Sequence, residues 1–267
     1  MTTTQHAIAK LARDPLRNIV LLKHLEAFPD HTRVHHLTSE VGTATLVLLE
    51  TAVSAYDRAT YPATTYAALI SSDAPALTRR LLDAVPDRVG VVFKVASETD
   101  AAMIGARFAV RQVAEFWSFT SDGAFADDAD VGLTLAPSDA AFELFQAQGH
   151  ARSWLEPLLK TDRAFACTIG RPDRPFAVCF AFENYGKIWE IGGAVAPMEY
   201  RGRGFASRVV RTALAELAQR KRVPRYQVDR NNLPSIRLAE SVGLKRFLAI
   251  THFLRLPLAD KSAARAG

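Results

Sequence analysis

Apolar residues recur at helical spacing in some segments of the 267-residue chain and cluster or alternate in others. Over residues 14–28, Leu16, Ile19, Val20, Leu22 and Leu25 fall mostly on one side of a helix, with Asp14 placed as a cap and Pro15 in the first turn. Residues 43–53 are rich in β-branched side chains and predict a buried strand. Residues 74–85 predict a helix, 89–95 a strand and 99–110 another helix. The pattern then breaks. TSDGAFADDAD, residues 120–130, holds four aspartates and no apolar period, and predicts a linker or long loop. Beyond it, residues 165–170 and 176–182 read as the arms of a hairpin around RPDRP, and 187–195 as a third strand. Residues 205–221 carry Ala206, Val209, Val210, Ala213, Leu214, Leu217 and Ala218 on one side, a strongly amphipathic helix. A short strand at 226–228, a helix at 233–242 closed by Gly243, and a strand at 247–256 complete the pattern. Strands and helices are mixed throughout, which predicts an α/β (α+β) chain with two halves.

Composition narrows the function classes. With 49% hydrophobic and 23% charged residues the chain is an ordinary globular one, and no apolar run approaches the roughly 20 residues of a membrane span. No short repeat is present. The first ten residues lack an apolar core with a small-residue cleavage site, so no secretion signal is expected. Together with only two cysteines, this points to the cytoplasm. Cys167 and Cys179 are symmetric about the hairpin turn and are expected as small buried residues rather than a disulfide. His31, His35 and His36 lack acidic or cysteine companions at ligand spacing, so no metal is expected and they are read as flanking a strand. Trp117, Trp154 and Trp189 are too scattered for a base-stacking platform.

The charge is local. The net charge is +5, yet residues 201–225 alone carry +7, so the remainder is at −2. A diffuse nucleic-acid surface is therefore not expected; a local anion site is. Arg201-Gly202-Arg203-Gly204-Phe205-Ala206 follows a predicted strand and opens a predicted helix. Such a turn leaves backbone N–H groups pointing outward at the positive end of the helix dipole, with no side chain blocking an anion. The dipole contributes about 0.3–1 kcal/mol, whereas each hydrogen bond to a charged group contributes about 1.5–3 kcal/mol. The alternatives are a glycine-rich turn with a solvated arginine face, or an RGG-type nucleic-acid segment; the immediate helix argues against the latter.

IGGAVAPMEYRGRGFAS resembles the acyl-CoA-binding motif of the GCN5-related N-acetyltransferase (GNAT) superfamily, in which Arg or Gln is followed after two residues by Gly and, one residue on, by Gly or Ala. Arg201, Gly204 and Ala206 match in order. NLPSIRLAESVGL resembles the second motif of the same superfamily at Asn232, Ser235, Ile236, Leu238, Gly243 and Leu244. The resemblance implies a GNAT sheet, mixed and mostly antiparallel, flanked by helices, over residues 131–256. Residues 1–125 are expected as a degenerate GNAT-like or accessory half, as in tandem and glycine N-acyltransferase-like (FR47-like) members, shaping the acceptor pocket or an interface. Residues 257–267 are expected as a tail.

By the same resemblance, backbone amides of Gly202, Arg203, Gly204, Phe205 and Ala206 hold the CoA pyrophosphate, and the main chain of Gly193, Ala194 and Val195 pairs with the pantetheine arm. Arg201, Asn232 and Ser235 complete the cofactor set. Glu190, on the strand before the loop, matches the general-base position of the histone-acetylating branch. An exposed glutamate or an arginine's ion-pair partner is the competing reading. The usual tyrosine after the second-motif leucine is Ala239 here, which leaves Tyr185, Tyr200, Tyr226 and Ser235 as unranked proton donors. The expected function is acyl transfer, with acetyl-CoA as co-substrate and no metal, to a small-molecule or peptide amine. No nucleic acid or membrane partner is expected, and a homodimer stays open. The runner-up is a CoA-binding regulatory or scaffold module without chemistry.

Overall fold

Thr2 opens the first helix with a reciprocal cap: its hydroxyl accepts from Gln5 N–H while the Gln5 side chain accepts from Thr2 N–H. Two donors that a bare helix start leaves open are thereby satisfied. The computed structural model describes residues 2–257, so most of the expected tail lies outside the described residues. The chain forms two units, one built from residues up to 115 and the stretch from 249, the other from residues 116–248. The acidic stretch at 120–130 is thus inside the second unit and is not the boundary expected from its composition.

The first unit contains α1 (Thr3–Leu11), α2 (Ile19–Ala27), β1 (Thr32–Ser39), β2 (Gly42–Glu50), α3 (Ala55–Thr60), β3 (Tyr66–Ser72), α4 (Pro75–Leu81), β4 (Val91–Val95) and α5 (Glu98–Arg107). Strands β1, β2 and β3 pair antiparallel, and β3 pairs parallel with β4 through the α4 crossover. Residues 251–255 add antiparallel to β4. Its apolar core gathers Leu46, Leu48, Ile70, Leu77, Leu81 and Phe93. The helix expected from residue 14 starts at Ile19, because the Asp14 side chain closes a turn on the Arg17 N–H instead. His35 and His36 lie in β1 and His31 just before it.

The second unit contains β5 (Arg111–Thr120), whose latter half belongs to it, then β6 (Val131–Thr134), α6 (Asp139–Ala147), α7 (Arg152–Lys160), β7 (Ala164–Arg171), β8 (Arg174–Tyr185), β9 (Ile188–Val195), α8 (Phe205–Gln219), β10 (Val223–Asp229), α9 (Leu233–Ser241) and β11 (Lys245–Arg255), which ends in the first unit. The sheet order is β5-β10-β9-β8-β7-β6, antiparallel except for the β9–β10 pair joined through α8. Cys167 and Cys179 are register partners, both buried and free, with Cys179 Sγ 3.4 Å from the Val209 carbonyl. One face of the sheet is covered by α8 and α9, which bury Val209, Val210, Leu214, Leu217 and Ile236 with Phe165, Trp189 and Ile191. The other face is covered by Phe142, Phe145, Leu155 and Leu159 of α6 and α7, packed on Val178 and Phe180. Burying each such side chain contributes about 1.5–3 kcal/mol.

A polar cluster is buried in the first unit. Lys94 pairs with Asp57 at 2.6 Å, and the Tyr61 hydroxyl lies 2.7 Å from His252 Nδ1. Burial, reinforced by the Lys94 charge, holds His252 at a pKa of about 3, and burial with Lys23 and Lys94 does the same to His24. Both imidazoles are therefore neutral in the folded chain from pH 6.5 down to about 3, while the unfolded chain protonates them from about pH 6.5. Stability is thus complete above pH 6.5 and falls on acidification by about 1.4 kcal/mol per pH unit for each residue. Urea denaturation of wild type at pH 7.5 and pH 5 is expected to show this loss, and His252→Phe to show about half of it; a pH-independent midpoint would refute the assignment.

Candidate functional site

Gly204 stands at the N-cap of α8 with φ +78°, and Gly202 has φ +74°. Both are left-handed conformations that cost other residues about 1–2 kcal/mol, so this turn requires glycine. No side chain caps α8. Among the described residues the N–H groups of residues 202–207 donate to no acceptor; the first α8 bond is from Arg208 N–H to the Gly204 carbonyl. The turn is a row of free donors at the positive end of a 15-residue helix. Aromatic packing holds it in place: Tyr200 lies 4.6 Å from Phe176, Phe205 lies 5.2 Å from Phe176, and the Arg174 and Arg203 guanidinium groups sit over Tyr200.

Among the described residues, three of the eight basic side chains in residues 201–225 are paired with protein carboxylates. Arg208 grips Asp128 and Asp130, which straps the acidic stretch along α8, and those carboxylates raise the Arg208 pKa further. Arg220 pairs with Glu216 and Asp162, and Arg225 with Glu190. Arg211 donates to the Ser241 carbonyl at the end of α9. Arg201 and Arg203 have no carboxylate partner among the described residues and are exposed beside the turn. Lys221 and Arg222 lie past the far end of α8, so beside the turn the +7 footprint inferred from sequence contracts to Arg201 and Arg203.

The loop is fed by β9, and β9 parts from its parallel neighbour. Backbone pairing with β10 runs from Ile188/Val223 to Ile191/Tyr226 and stops there. Beyond it β9 continues to pair with β8 and β10 with β5, so residues 192–195 and 227–229 present unpaired edges to one another. A bulge accompanies the parting: β8 advances two residues from Phe180 to Val178 while β9 advances three from Gly192 to Val195. Gly193 has φ +62°, and a Cβ there would meet the Phe180 ring at 2.5 Å. A slot between the diverging ends of parallel strands, closed by a helix N-terminus, is where open α/β sheets take their ligands.

Glu190 stands two residues before the slot and is buried. Its Oε2 accepts from Arg225 Nη1 at 2.5 Å and from Asn184 Nδ2 at 2.8 Å; Oε1 has no partner among the described residues. Arg225 is its register neighbour on β10, also bonded to Ser118 Oγ at 3.0 Å. The ion-pair alternative weighed against a general base is therefore what the geometry contains. Asn232 is the N-cap of α9, accepting from Ser235 N–H at 3.2 Å. Ser235 Oγ is 2.6 Å from the phenol of Tyr226, the last residue of β10 to pair with β9. Burial raises the Tyr226 pKa above its ordinary value, so that hydroxyl keeps its proton. It reaches α9 one turn before the buried Ala239. Tyr200 is engaged with the turn.

His150 is the side chain that sequence reading passed over. It follows α6 in a Schellman turn, with Gly149 at φ +85°, Gly149 N–H bonding to the Gln146 carbonyl and His150 N–H to the Phe145 carbonyl. A lone histidine in a loop between short helices carries no motif; the glycine before it was the available signal.

The family model for "Acetyltransferase (GNAT) family" matches residues 125–244. Among solved structures, a GCN5-related N-acetyltransferase from Sphaerobacter thermophilus is similar with a TM-score of 0.56 at 14% identity, over 91% of this chain and 86% of that one. One from Kribbella flavida gives 0.54 at 14%, over 91% and 96%. A tandem GNAT protein from the clavulanic acid biosynthesis pathway gives 0.50 at 14%, over 91% and 89%. No curated protein matches the chain. At these identities the structures establish the fold, a mixed α/β one with a largely antiparallel sheet.

Removing one partner of the Glu190–Arg225 pair leaves a buried charge uncompensated. Glu190→Leu or Arg225→Met alone is expected to cost about 3–5 kcal/mol in urea unfolding, and the double variant markedly less than either single one. Additive losses would show that the two side chains are not coupled.

Proposed function

Since residues 125–244 form a GNAT-family acetyltransferase domain, we propose that the chain transfers the acetyl group of acetyl-CoA to a primary amine. The observation that carries this is the row of free N–H groups at residues 202–207 beside the slot between β9 and β10. The pyrophosphate fits that row, with Arg201 and Arg203 as counter-charge. The pantetheine arm fits the unpaired edge at Gly193, Ala194 and Val195, where it would add as a short strand. The reaction needs a neutral amine: at pH 7 a lysine-like ammonium costs about 4.6 kcal/mol to deprotonate, an α-ammonium only about 1 kcal/mol. The amine lone pair attacks the thioester carbonyl and the C–S bond breaks. The Tyr226 hydroxyl, kept protonated by burial, is the proton donor this reading assigns to the leaving thiolate. Asn232 and Ser235 then act by fixing the start of α9 and the Tyr226 phenol. Glu190 keeps one carboxylate oxygen for hydrogen bonding to the amine, the other being committed to Arg225 and Asn184.

The first unit is read as a GNAT-like half without the cofactor turn, as in tandem, FR47-like members. Its β3–α4–β4 path repeats β9–α8–β10. Where the second unit has glycines and arginines, it has Asp73, Ala74 and Pro75. Proline at the first helical position removes an N–H, and the Asp73 carboxylate occupies Thr43 N–H and Lys10. An anion finds neither donors nor counter-charge there.

Titration calorimetry is expected to detect acetyl-CoA and CoA binding that weakens with salt. Ala206→Glu places a carboxylate in the first turn of α8, which suits the helix dipole but occupies the anion site. It is expected to lower acetyl-CoA affinity at least tenfold with no loss of thermal stability. Absence of wild-type binding at millimolar acetyl-CoA would overturn the reading. Binding without acyl transfer to any primary amine would leave a CoA-binding module in its place.

A further inference from the structure

His150 occupies a defined place on the opposite face of the sheet from α8. Its ring stands edge-on to Phe180 at 4.9 Å, and its Cε1 is 3.9 Å from where a Cβ on Gly192 would lie. Gly192 is the first residue of β9 beyond the end of pairing with β10, so the imidazole covers the head of the slot from the α6–α7 side. The half-exposed Trp154 indole lies 6.3 Å from it and 5.0 Å from Phe182, forming an aromatic wall that continues from the imidazole. Among the described residues neither ring nitrogen has a hydrogen-bond partner. A half-buried imidazole with both nitrogens uncommitted is uncommon, and here its backbone is fixed by the turn at Gly149.

We infer that His150 is the general base of the acyl transfer, taking a proton from the acceptor amine on the α6–α7 face while the thioester is held in the slot. This rests on the acetyl-CoA reading given above. The acceptor ammonium loses two protons in all. One passes to an imidazole nitrogen before attack; the nitrogen lone pair then forms the C–N bond as the C–S bond breaks, and the second proton leaves with the thiolate as CoA thiol. The groups facing the ring bring it no charge: Phe180 from β8, Trp154 from α7 and Gly192 from β9, with only the Phe145 carbonyl of α6 on its backbone N–H. Arg152, on α7, is turned to Asp139 and Glu156, and Glu190, on β9, is paired with Arg225. Burial alone lowers the His150 pKa below its ordinary value, so the ring is neutral and basic at pH 7. Glu190, by contrast, would have to accept a proton against a buried guanidinium.

The test uses the full chain with acetyl-CoA and a panel of primary amines, taking the fastest acceptor, or water where no amine serves. Calorimetry comes first: failure of wild type to bind acetyl-CoA removes the parent reading and this one with it. With binding established, the His150 Cε1–H NMR signal is expected to shift on saturation with acetyl-CoA. His150→Gln is expected to lower kcat/KM about 10²- to 10³-fold with acetyl-CoA affinity within threefold of wild type. With an amine acceptor, log kcat/KM is expected to rise with slope one below the imidazole pKa and to level off above it, and His150→Gln, which must draw on free neutral amine, to show slope one throughout. Added imidazole is expected to restore part of the activity of His150→Ala, a readout that a merely structural role would not move. An unmoved NMR signal with acetyl-CoA bound, or a His150→Gln variant with wild-type rate and slopes, overturns the assignment of the base while leaving acetyl-CoA binding standing.

Discussion

The parting of two parallel strands is the constraint on which the second unit is organised. Strands β9 and β10 are hydrogen-bonded for four register pairs and then separate. Backbone groups left open on both edges need partners, from water or from a ligand. The separation is held at a fixed point from both sides. Before it, the Glu190–Arg225 pair binds the two strands together one register pair before the last. After it, the Gly193 bulge turns β9 away while keeping it on β8, a geometry that only glycine fits because Phe180 and Phe145 fill the space where a Cβ would be. The ion pair is weak evidence for stability in its own right, since desolvation offsets much of its attraction. Its value is positional: it defines where pairing ends.

From that point the chemistry divides by face. The α8 face carries the glycine turn; Arg208, Arg211 and Arg220 are engaged by protein oxygens and Lys221 and Arg222 lie past the far end of the helix, so the positive potential at the turn comes from N–H groups, the helix dipole and the exposed Arg201 and Arg203. The α6–α7 face carries His150, Trp154 and Phe182, an aromatic and neutral surface. On the proposed reading, a phosphate-bearing co-substrate and an amine acceptor would meet surfaces of different character, with the slot between them as the place where a thioester from one side could reach a nitrogen from the other. The neutral character of the second face matters energetically. The Glu190 carboxylate on that face is balanced by Arg225, and a neutral imidazole accepts the proton without adding a negative charge that would hold the amine as ammonium.

The features legible in the sequence were those encoded locally. Strand, glycine turn and amphipathic helix at residues 187–221 follow from alternation, two glycines needing positive φ, and a single apolar stripe. The facing cysteines followed from symmetry about a hairpin turn. Features set by distant partners were not legible. β5 carries Trp117 and Phe119 amid polar residues, and what makes it a strand is pairing with β10, over a hundred residues on. The acidic stretch at 120–130 shows the same limit: it is the long loop that its lack of period predicts, but its attachment to the second unit depends on Asp128 and Asp130 pairing with Arg208, and charge pairs between remote segments leave no periodicity. Glu190 was found by its distance from the loop, whereas its commitment to Arg225 depends on a register that only the folded sheet defines. His150 was passed over because its place beside Gly192 is set by the folded sheet and not by any local pattern.

On the proposed reading, the two units show how little separates a cofactor turn from an inert one. Both pass from a strand through a crossover helix to a parallel neighbour, and both place the helix start at the ends of those strands. In the first unit the parallel pairing of β3 and β4 persists to Val95, the last residue of β4, so no slot opens along their paired lengths. The turn into α4 carries an aspartate and a proline, which subtract a donor and add a negative charge at the point where the second unit offers six free N–H groups. At about 1.5–3 kcal/mol for each hydrogen bond to a charged group, losing even two of them lowers anion affinity by more than a hundredfold. The shared strand–helix–strand path therefore carries no cofactor affinity of its own. That affinity arises where glycine frees the backbone and the sheet is prevented from closing.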